Sequence, residues 1–176
     1  MARTTTARIT LNVKADLVNT LTDGSLVEAP IRDVLTQIFA NGLGDDQIDI
    51  AWESKDRTLS DGNNEDLNLF DLSGLDLGAG SGLDPLGQSV AMTELVLLYI
   101  HNRSVAILTI GGAASNELTA IFGASGDKSI IPAWGFSLLV APKNAGFAVT
   151  TTTDALRIAA SGAAATYDIV VLGRSG

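Results

Sequence analysis

Residues 156–172 read LRIAASGAAATYDIVVL and decide the fold class of this chain. Two short runs rich in apolar and β-branched residues, 156–160 and 167–172, lie on either side of Ser161-Gly162. Runs of this length and composition are typical of β-strands, and a Ser-Gly pair is typical of a turn. The segment therefore predicts two strands joined by a turn.

The same pattern recurs through the half of the chain before this segment. Turn residues at 101–103, Gly111-Gly112, Asp127-Lys128 and 142–144 separate the apolar runs. The predicted strands are 90–100, 104–110, 130–131, 136–140 and 147–151. Strands at such short intervals are typical of an antiparallel β-sandwich or barrel. We predict an all-β, jelly-roll-like sandwich, and the absence of a repeated β–helix–β unit argues against a doubly wound fold.

The N-terminal third is less uniform. Residues 8–13 and 47–52 alternate between apolar and polar side chains, which indicates half-buried strands. Residues 30–39 instead place apolar side chains at helical spacing, and Asn41-Gly42 supplies a stop signal, so we predict one short helix there. The expected organisation is an N-terminal arm at 1–8 and a single β-sandwich domain at 9–176. Residues 53–88 look the least ordered, although 65–72 alternate through Leu67, Leu69 and Leu72 before a loop-rich segment that contains several glycines.

Composition limits the function. A chain of 176 residues can bury a core without help, and it contains no cysteine, so we expect neither a disulfide framework nor a structural metal. The net charge of −9 opposes binding to nucleic acid. The polar start lacks the apolar core of a signal peptide, and no apolar run is long enough to span a bilayer, so we expect no membrane partner.

The chain is also unusually apolar for a monomer. Only 18% of its residues are charged, whereas 46% are hydrophobic. A protein with so few charges to distribute over its surface tends to cover part of that surface with a partner. We therefore expect a homo-oligomer, and a trimer in particular.

No motif for catalysis or cofactor binding is complete. His101 is the single histidine, and the serine in 123–127 (GASGD) has Asp127 where a nucleophile elbow needs glycine. Asp127 also breaks the phosphate-loop pattern before Lys128. Residues 78–83 (GAGSGL) lack the third glycine of a dinucleotide loop.

The acidic clusters also lack a ligand pattern. Residues 61–66 (DGNNED) begin like a calcium loop but lack its glycine and distal glutamate, and Asp45, Asp46 and Asp49 form no motif. Opportunistic calcium binding is the weaker interpretation, and solvated carboxylates are the favoured one. We predict no catalytic, cofactor-binding or metal-binding residues. Trp52 continues an apolar alternation and is expected in the core, whereas Trp134 is expected in an exposed loop.

Segments in both halves resemble small virion proteins of tailed bacteriophages. They are LTIGGAASN (108–116), FAVT (147–150), DALRI (154–158) and YDIVVLG (167–173), with AW (51–52), RTL (57–59) and EDLNL (65–69) upstream. The resemblance implies a jelly-roll-like module that decorates or cements a capsid, commonly as a trimer. It further implies contacts to the major capsid protein or other virion proteins, in a virion assembled in the host cytoplasm.

The expected function is therefore that of a non-enzymatic virion structural protein. Because packaged DNA would repel the acidic chain, we expect an outward position on the shell. The arm, with Arg3 and Arg8, is the candidate segment for reaching an adjacent protein, and a disordered arm is the favoured interpretation. The alternative is a carbohydrate- or receptor-binding sandwich on a phage tail, and an enzyme is a distant third.

Overall fold

The computed structural model describes residues 4–20, 22–72 and 91–176, which form twelve strands and a short 3-10 helix at Thr119–Ile121. The strands that precede residue 73 are β1 (Ala7–Thr20), β2 (Leu26–Asn41), β3 (Gln47–Ile48), β4 (Ile50–Leu59) and β5 (Asn64–Asn68). The later strands are β6 (Met92–Asn102), β7 (Ile107–Gly111), β8 (Lys128–Ile131), β9 (Phe136–Val140), β10 (Phe147–Ala148), β11 (Ala155–Ser161) and β12 (Ala165–Ser175).

Two antiparallel sheets enclose the main core, as the sequence predicts for an all-β sandwich. The larger sheet has the order β4–β12–β6, with β9 and β10 both pairing with the far edge of β6. The smaller sheet has the order β5–β11–β7–β8. The predicted strands at 136–140, 156–160 and 167–172 all lie in these sheets.

Strand β12 is the centre of the larger sheet. It pairs with β4 on one side and with β6 on the other. Its inward side chains Tyr167, Ile169 and Val171 are buried, and the intervening residues are partly exposed. This period of two is the alternation expected of a strand with one face in the core.

The core between the sheets is aliphatic. Trp52 from β4 lies in it, as predicted, together with Leu98, Ile110 and Leu156 from both sheets. The predicted alternation at 65–72 is also confirmed, because Leu67, Leu69 and Leu72 are fully buried. Gly111 ends β7 as expected. Its φ of 96° favours glycine, and a Cβ there would lie 2.5 Å from the Asp127 carbonyl oxygen.

The predicted helix at 30–39 is wrong, because these residues belong to the long strand β2. Ile31, Leu35 and Phe39 lie on one face of that strand, and Val34 and Ile38 lie on the other. A strand that is apolar on both faces produces the same spacing as an amphipathic helix. Pairing with β1 along the whole strand overrides the local pattern.

Strands β1 and β2 form a two-stranded antiparallel ribbon that continues well past the sandwich. Their register runs from Ala7–Phe39 to Thr20–Leu26, and β3 pairs in parallel with the end of β2. The strand predicted at 8–13 is therefore confirmed but is longer than expected. Because β1 begins at Ala7, the last two residues of the predicted arm are part of a strand. Residues 1–3 and the glycine-rich segment 78–83 lie outside the described residues.

Arg174, near the end of β12, ties the ribbon's foot to the sandwich. Its side chain is only 2% exposed and forms an ion pair with Glu94 at 2.7 Å. The guanidinium also donates to the carbonyl oxygens of Gln47, Pro142 and Lys143 at 2.8–3.1 Å. One buried cation therefore joins β3, β6 and the loop after β9.

We expect Arg174→Met to destabilise the fold by about 3–5 kcal/mol, because it leaves a carboxylate and three carbonyls without their donor. The matched control is Arg32→Met, which removes an exposed ion pair with Asp16 and should cost less than about 1 kcal/mol. Urea unfolding of both variants measures the difference. Equal losses would show that the Arg174 network contributes little.

Candidate interaction site

The ribbon has two chemically different faces. Because paired residues in an antiparallel sheet lie on the same face, the register assigns every side chain. One face carries mostly polar residues, among them Arg8, Thr10, Lys14 and Arg32. The other, which we call the apolar ribbon face, carries the side chains Ala7, Ile9, Leu11, Val13, Ala15, Leu17, Val27, Ala29, Ile31, Leu35 and Phe39.

Most of the apolar ribbon face is open to solvent. Leu17 is 66% exposed, Ile31 56% and Leu35 55%, although all three are large aliphatic side chains. Among the described side chains on this face, only Asp33 and Gln37 are polar. A continuous apolar surface of this kind is uncommon on a monomer and marks a site of interaction.

At its foot, the same ribbon face is covered. Phe39 is 1% exposed and belongs to a second apolar cluster with Val96, Leu97 and Leu172. Ala7 and Ile9 pack against this cluster. The foot of the ribbon therefore lies on the outer surface of the larger sheet, on the side opposite the main core.

That outer sheet surface is itself apolar beyond the area that the foot covers. The register places Leu172, Leu97 and Val140 in one row and Val170, Tyr99 and Leu138 in the next. The third row holds the polar residues Asp168 and His101 together with Phe136. We call the second and third rows, from Val170 to Phe136, the outer sheet patch.

An open groove of about 450 Å³ separates the ribbon's foot from the outer sheet patch. The ribbon contributes residues 7–11 to it, and the sheet contributes Tyr99, Phe136, Leu138 and Val170 among others. Arg8 is the one charged residue among its lining side chains. The ring of Tyr99 lies 6.2 Å from that of Phe136 and 6.3 Å from that of His101.

The residues tested for chemistry from the sequence do not converge on this groove or on one another. His101 lies in β6 and not at a turn, and its strand neighbours are Asp168 and Phe136. Trp134 is exposed, as predicted, in the loop between β8 and β9. Ser125 and Asp127 lie in the connection between β7 and β8, whereas His101 lies in β6.

The acidic cluster at 45–49 has structural partners. Asp46 accepts a hydrogen bond from Lys143 at 2.6 Å, and that contact lowers the pKa of the Asp46 carboxyl. Asp45 accepts from the backbone N–H of Asn144, and Asp49 accepts from the N–H of Ser175. These carboxylates hold the loop after β9 and the end of β12.

Arg57, Glu65 and Tyr167 form a partly buried polar cluster between the sheets. Glu65 on β5 accepts hydrogen bonds from Arg57 on β4 and from the Tyr167 hydroxyl on β12. Burial and the nearby Glu65 carboxylate raise the pKa of Tyr167. Because the phenol is kept protonated and the carboxylate is bound by two donors, the cluster is suited to joining the sheets and not to proton transfer.

Glu117 is a buried carboxylate that organises a loop. It accepts hydrogen bonds from the backbone N–H of Gly126 at 2.7 Å, from the Ser125 hydroxyl at 2.9 Å and from the N–H of Gly112. Burial acts to raise the pKa of Glu117, but these three donors outweigh it, and the net effect is a lowered pKa. These donors hold the turn at 123–127 in place. It is the segment whose sequence is close to a phosphate-loop pattern but does not complete it.

Within the described ranges, no three His, Cys, Asp or Glu side chains converge in a way that would hold a metal ion. Residues 4–20, 22–72 and 91–176 also contain no helix with the length and apolarity that a membrane crossing requires. The feature that sequence reasoning missed is the ribbon. Its signal was present in the β-branched residues Val27, Ile31, Val34 and Ile38.

At pH 7 we expect the free energy of unfolding to be higher for the wild-type protein than for Glu117→Gln. This difference should become smaller as the pH falls. The pKa of Glu117 in the fold lies below its ordinary value of 4.5, so its stabilisation is present above that pH and is lost during acidification. Urea unfolding between pH 7 and pH 3 measures the gap. Ser125→Ala, which removes one donor and keeps the carboxylate, should retain a pH dependence. A gap that stays constant with pH would contradict this role of Glu117.

Comparison with known proteins gives no match: no family model, curated protein or solved structure is similar to this chain. The resemblance to phage virion proteins therefore stays a prediction. The function has to be argued from the ribbon, the outer sheet patch and the charge of the chain.

Proposed function

We propose that this protein is a non-enzymatic structural subunit that works by assembling with copies of itself and with other proteins. The observation that carries the proposal is the exposed apolar face of the ribbon formed by Ala7–Thr20 and Leu26–Asn41. A β-sandwich does not need such a ribbon for its own core, because the distal residues of the ribbon contact neither sheet's interior.

A ribbon of this kind gains stability when another surface packs on it. An isolated two-stranded hairpin is marginally stable in water, and further strands or a packed surface are needed to hold it. Burying one large aliphatic side chain contributes about 1.5–3 kcal/mol. Covering Leu17, Ile31 and Leu35 together would therefore stabilise both the ribbon and the assembly that covers it.

The proposed setting is the shell of a bacteriophage, where the protein decorates or cements the capsid. Support comes from the resemblance of residues 47–173 to small virion proteins and from the net charge of −9, which favours a position away from packaged DNA. The major capsid protein is the proposed neighbour. The proposed assembly is a trimer in the virion.

A second candidate function is binding of a carbohydrate or receptor on a phage tail. The observation that favours it is the exposure of two aromatic rings, Trp134 in a loop and Phe136 at the groove. Exposed aromatic rings of this kind can stack on the apolar faces of sugars. A glycan array probed with the intact protein, with Trp134→Ala as the control, separates this function from assembly.

We expect the purified protein to have a native mass that is a multiple of 18.2 kDa, with three copies as the specific expectation. Replacing residues 12–34 by a two-residue Asn-Gly turn should leave a folded monomer, because the main core lies outside that segment. Light scattering at micromolar concentration measures the mass, and circular dichroism checks the fold. A wild-type monomer would contradict self-assembly.

The capsid role has its own test. Labelled protein should co-sediment with particles of the phage that encodes it, and cryo-electron microscopy should find it on the outer surface. Binding to glycans combined with no association with particles would favour the tail alternative.

A further inference from the structure

We propose that the apolar ribbon face of one chain docks on the outer sheet patch of a second copy. This inference rests on the proposed function and names its partner: another molecule of the same chain. The contact would place the distal ribbon, from Leu11 to Leu17 and from Val27 to Leu35, over Val170, Tyr99, Leu138 and Phe136 of the neighbour.

The first argument is continuity with packing that already exists within one chain. Ala7, Ile9 and Phe39 on the apolar ribbon face lie against Leu97 and Leu172 of the sheet. The next row of the same sheet, Val170, Tyr99 and Leu138, is also apolar and is only partly buried. The distal ribbon continues the same face and is exposed. The chain thus carries two exposed surfaces whose adjoining parts already fit each other.

The second argument is area. The free part of the ribbon comprises the residue pairs from Leu11–Leu35 to Thr20–Leu26. At roughly 3.4 Å per residue and about 10 Å across two strands, its face measures about 340 Å². The outer sheet patch spans three strands about 4.8 Å apart and about four residues along each, so it adds about 200 Å². In a reciprocal pair each chain contributes both surfaces, about 540 Å², and the pair buries about 1,080 Å², the size of a small specific interface.

The third argument is charge complementarity. Asp33 is the one charged residue on the apolar ribbon face, and Arg8 is the one charged residue that lines the groove. Neither side chain has an ion-pair or hydrogen-bond partner among the described residues. In the proposed contact, Asp33 of one copy lies near Arg8 of the next, so that the interface buries no unpaired charge.

These arguments favour a second copy over an unrelated partner, since one chain supplies both surfaces and both charges. Each subunit can then give its ribbon and receive another, either reciprocally in a dimer or in sequence around a closed ring. The ring form agrees with the trimer expected above.

The ribbon side is tested by two neighbouring residues on opposite faces. Leu35 and Val34 are 55% and 59% exposed, and only Leu35 lies on the apolar ribbon face. We expect Leu35→Asp to weaken self-association at least about tenfold, because it places a charge in an apolar contact. Val34→Asp adds the same charge at the neighbouring position but on the opposite face, so it should change self-association little. Sedimentation equilibrium measures both, and equal effects would overturn the docking.

The outer sheet patch is tested by a second pair of exposed residues. Phe136 lies on the outer sheet patch, and Ile130 lies on β8 of the other sheet; they are 58% and 67% exposed. Phe136→Asp should weaken association as Leu35→Asp does, and Ile130→Asp should not.

The reversals Arg8→Asp and Asp33→Arg should each weaken association, and the doubly reversed protein should recover it. Failure of the double variant to recover would overturn the proposed charge pair.

Cross-linking tests the contact directly, because the natural chain has no cysteine. One tagged chain carries Ile31→Cys and an untagged chain carries Phe136→Cys. We expect a mixed disulfide between the two, and no mixed disulfide when Ile130→Cys replaces Phe136→Cys.

The outcomes separate the two proposals. A wild-type monomer that binds no particles would overturn the proposed function and the docking with it. A wild-type oligomer that persists in Leu35→Asp and Phe136→Asp, with no mixed disulfide, would overturn only the docking. A wild-type monomer whose ribbon binds capsids, and loses them in Leu35→Asp, would assign the ribbon to a capsid protein and overturn the second copy as its partner.

Discussion

The rest of the structure depends on the two-sided pairing of strand β12. Its backbone is hydrogen-bonded to β4 and β6 at once, and its inward side chains fix the register of both neighbours. Arg174 connects the end of β12 to the rest of the fold, because its buried guanidinium donates hydrogen bonds to three other parts of the chain. The same two strands, β12 and β6, provide most of the outer sheet patch.

The ribbon stands in contrast to this central pairing. Its two strands satisfy each other's hydrogen bonds along one edge, but no third strand or opposite sheet in the described part of the chain covers the distal part. Its apolar face is therefore exposed because of the strand arrangement, although its side chains are of the kind that pack in a core. The sandwich has the complementary situation, with an apolar outer surface where most antiparallel sheets present polar side chains to water. Both anomalies have one explanation if the surfaces cover each other in an assembly.

The sandwich was predictable from the sequence, whereas only the start of the ribbon, at residues 8–13, was predicted. Strands with one buried face, such as β11 and β12, show a period of two that local reasoning can recognise. Residues 30–39 carry apolar side chains on both faces, and the resulting spacing is that of a helix. What decides between the two is pairing with β1, which is a non-local property. The outer sheet patch was equally hidden, because Tyr99, Phe136 and Val170 look like ordinary strand residues until the register brings them side by side.

The topology also sets an order of events in folding. The strands of the ribbon are adjacent in sequence and need only a short turn to pair, and local contacts of this type form fast. The outer sheet patch needs β12 beside β6 and β9, strands that are far apart in the chain, so it is completed late. A newly made chain can therefore pair its ribbon strands early, although the pair is only marginally stable until the sheet beneath its foot has formed. In the proposed docking, association between copies would follow the completion of the sandwich. The charged residues Lys14, Asp16 and Arg32 on the polar ribbon face disfavour uncontrolled strand addition before that point.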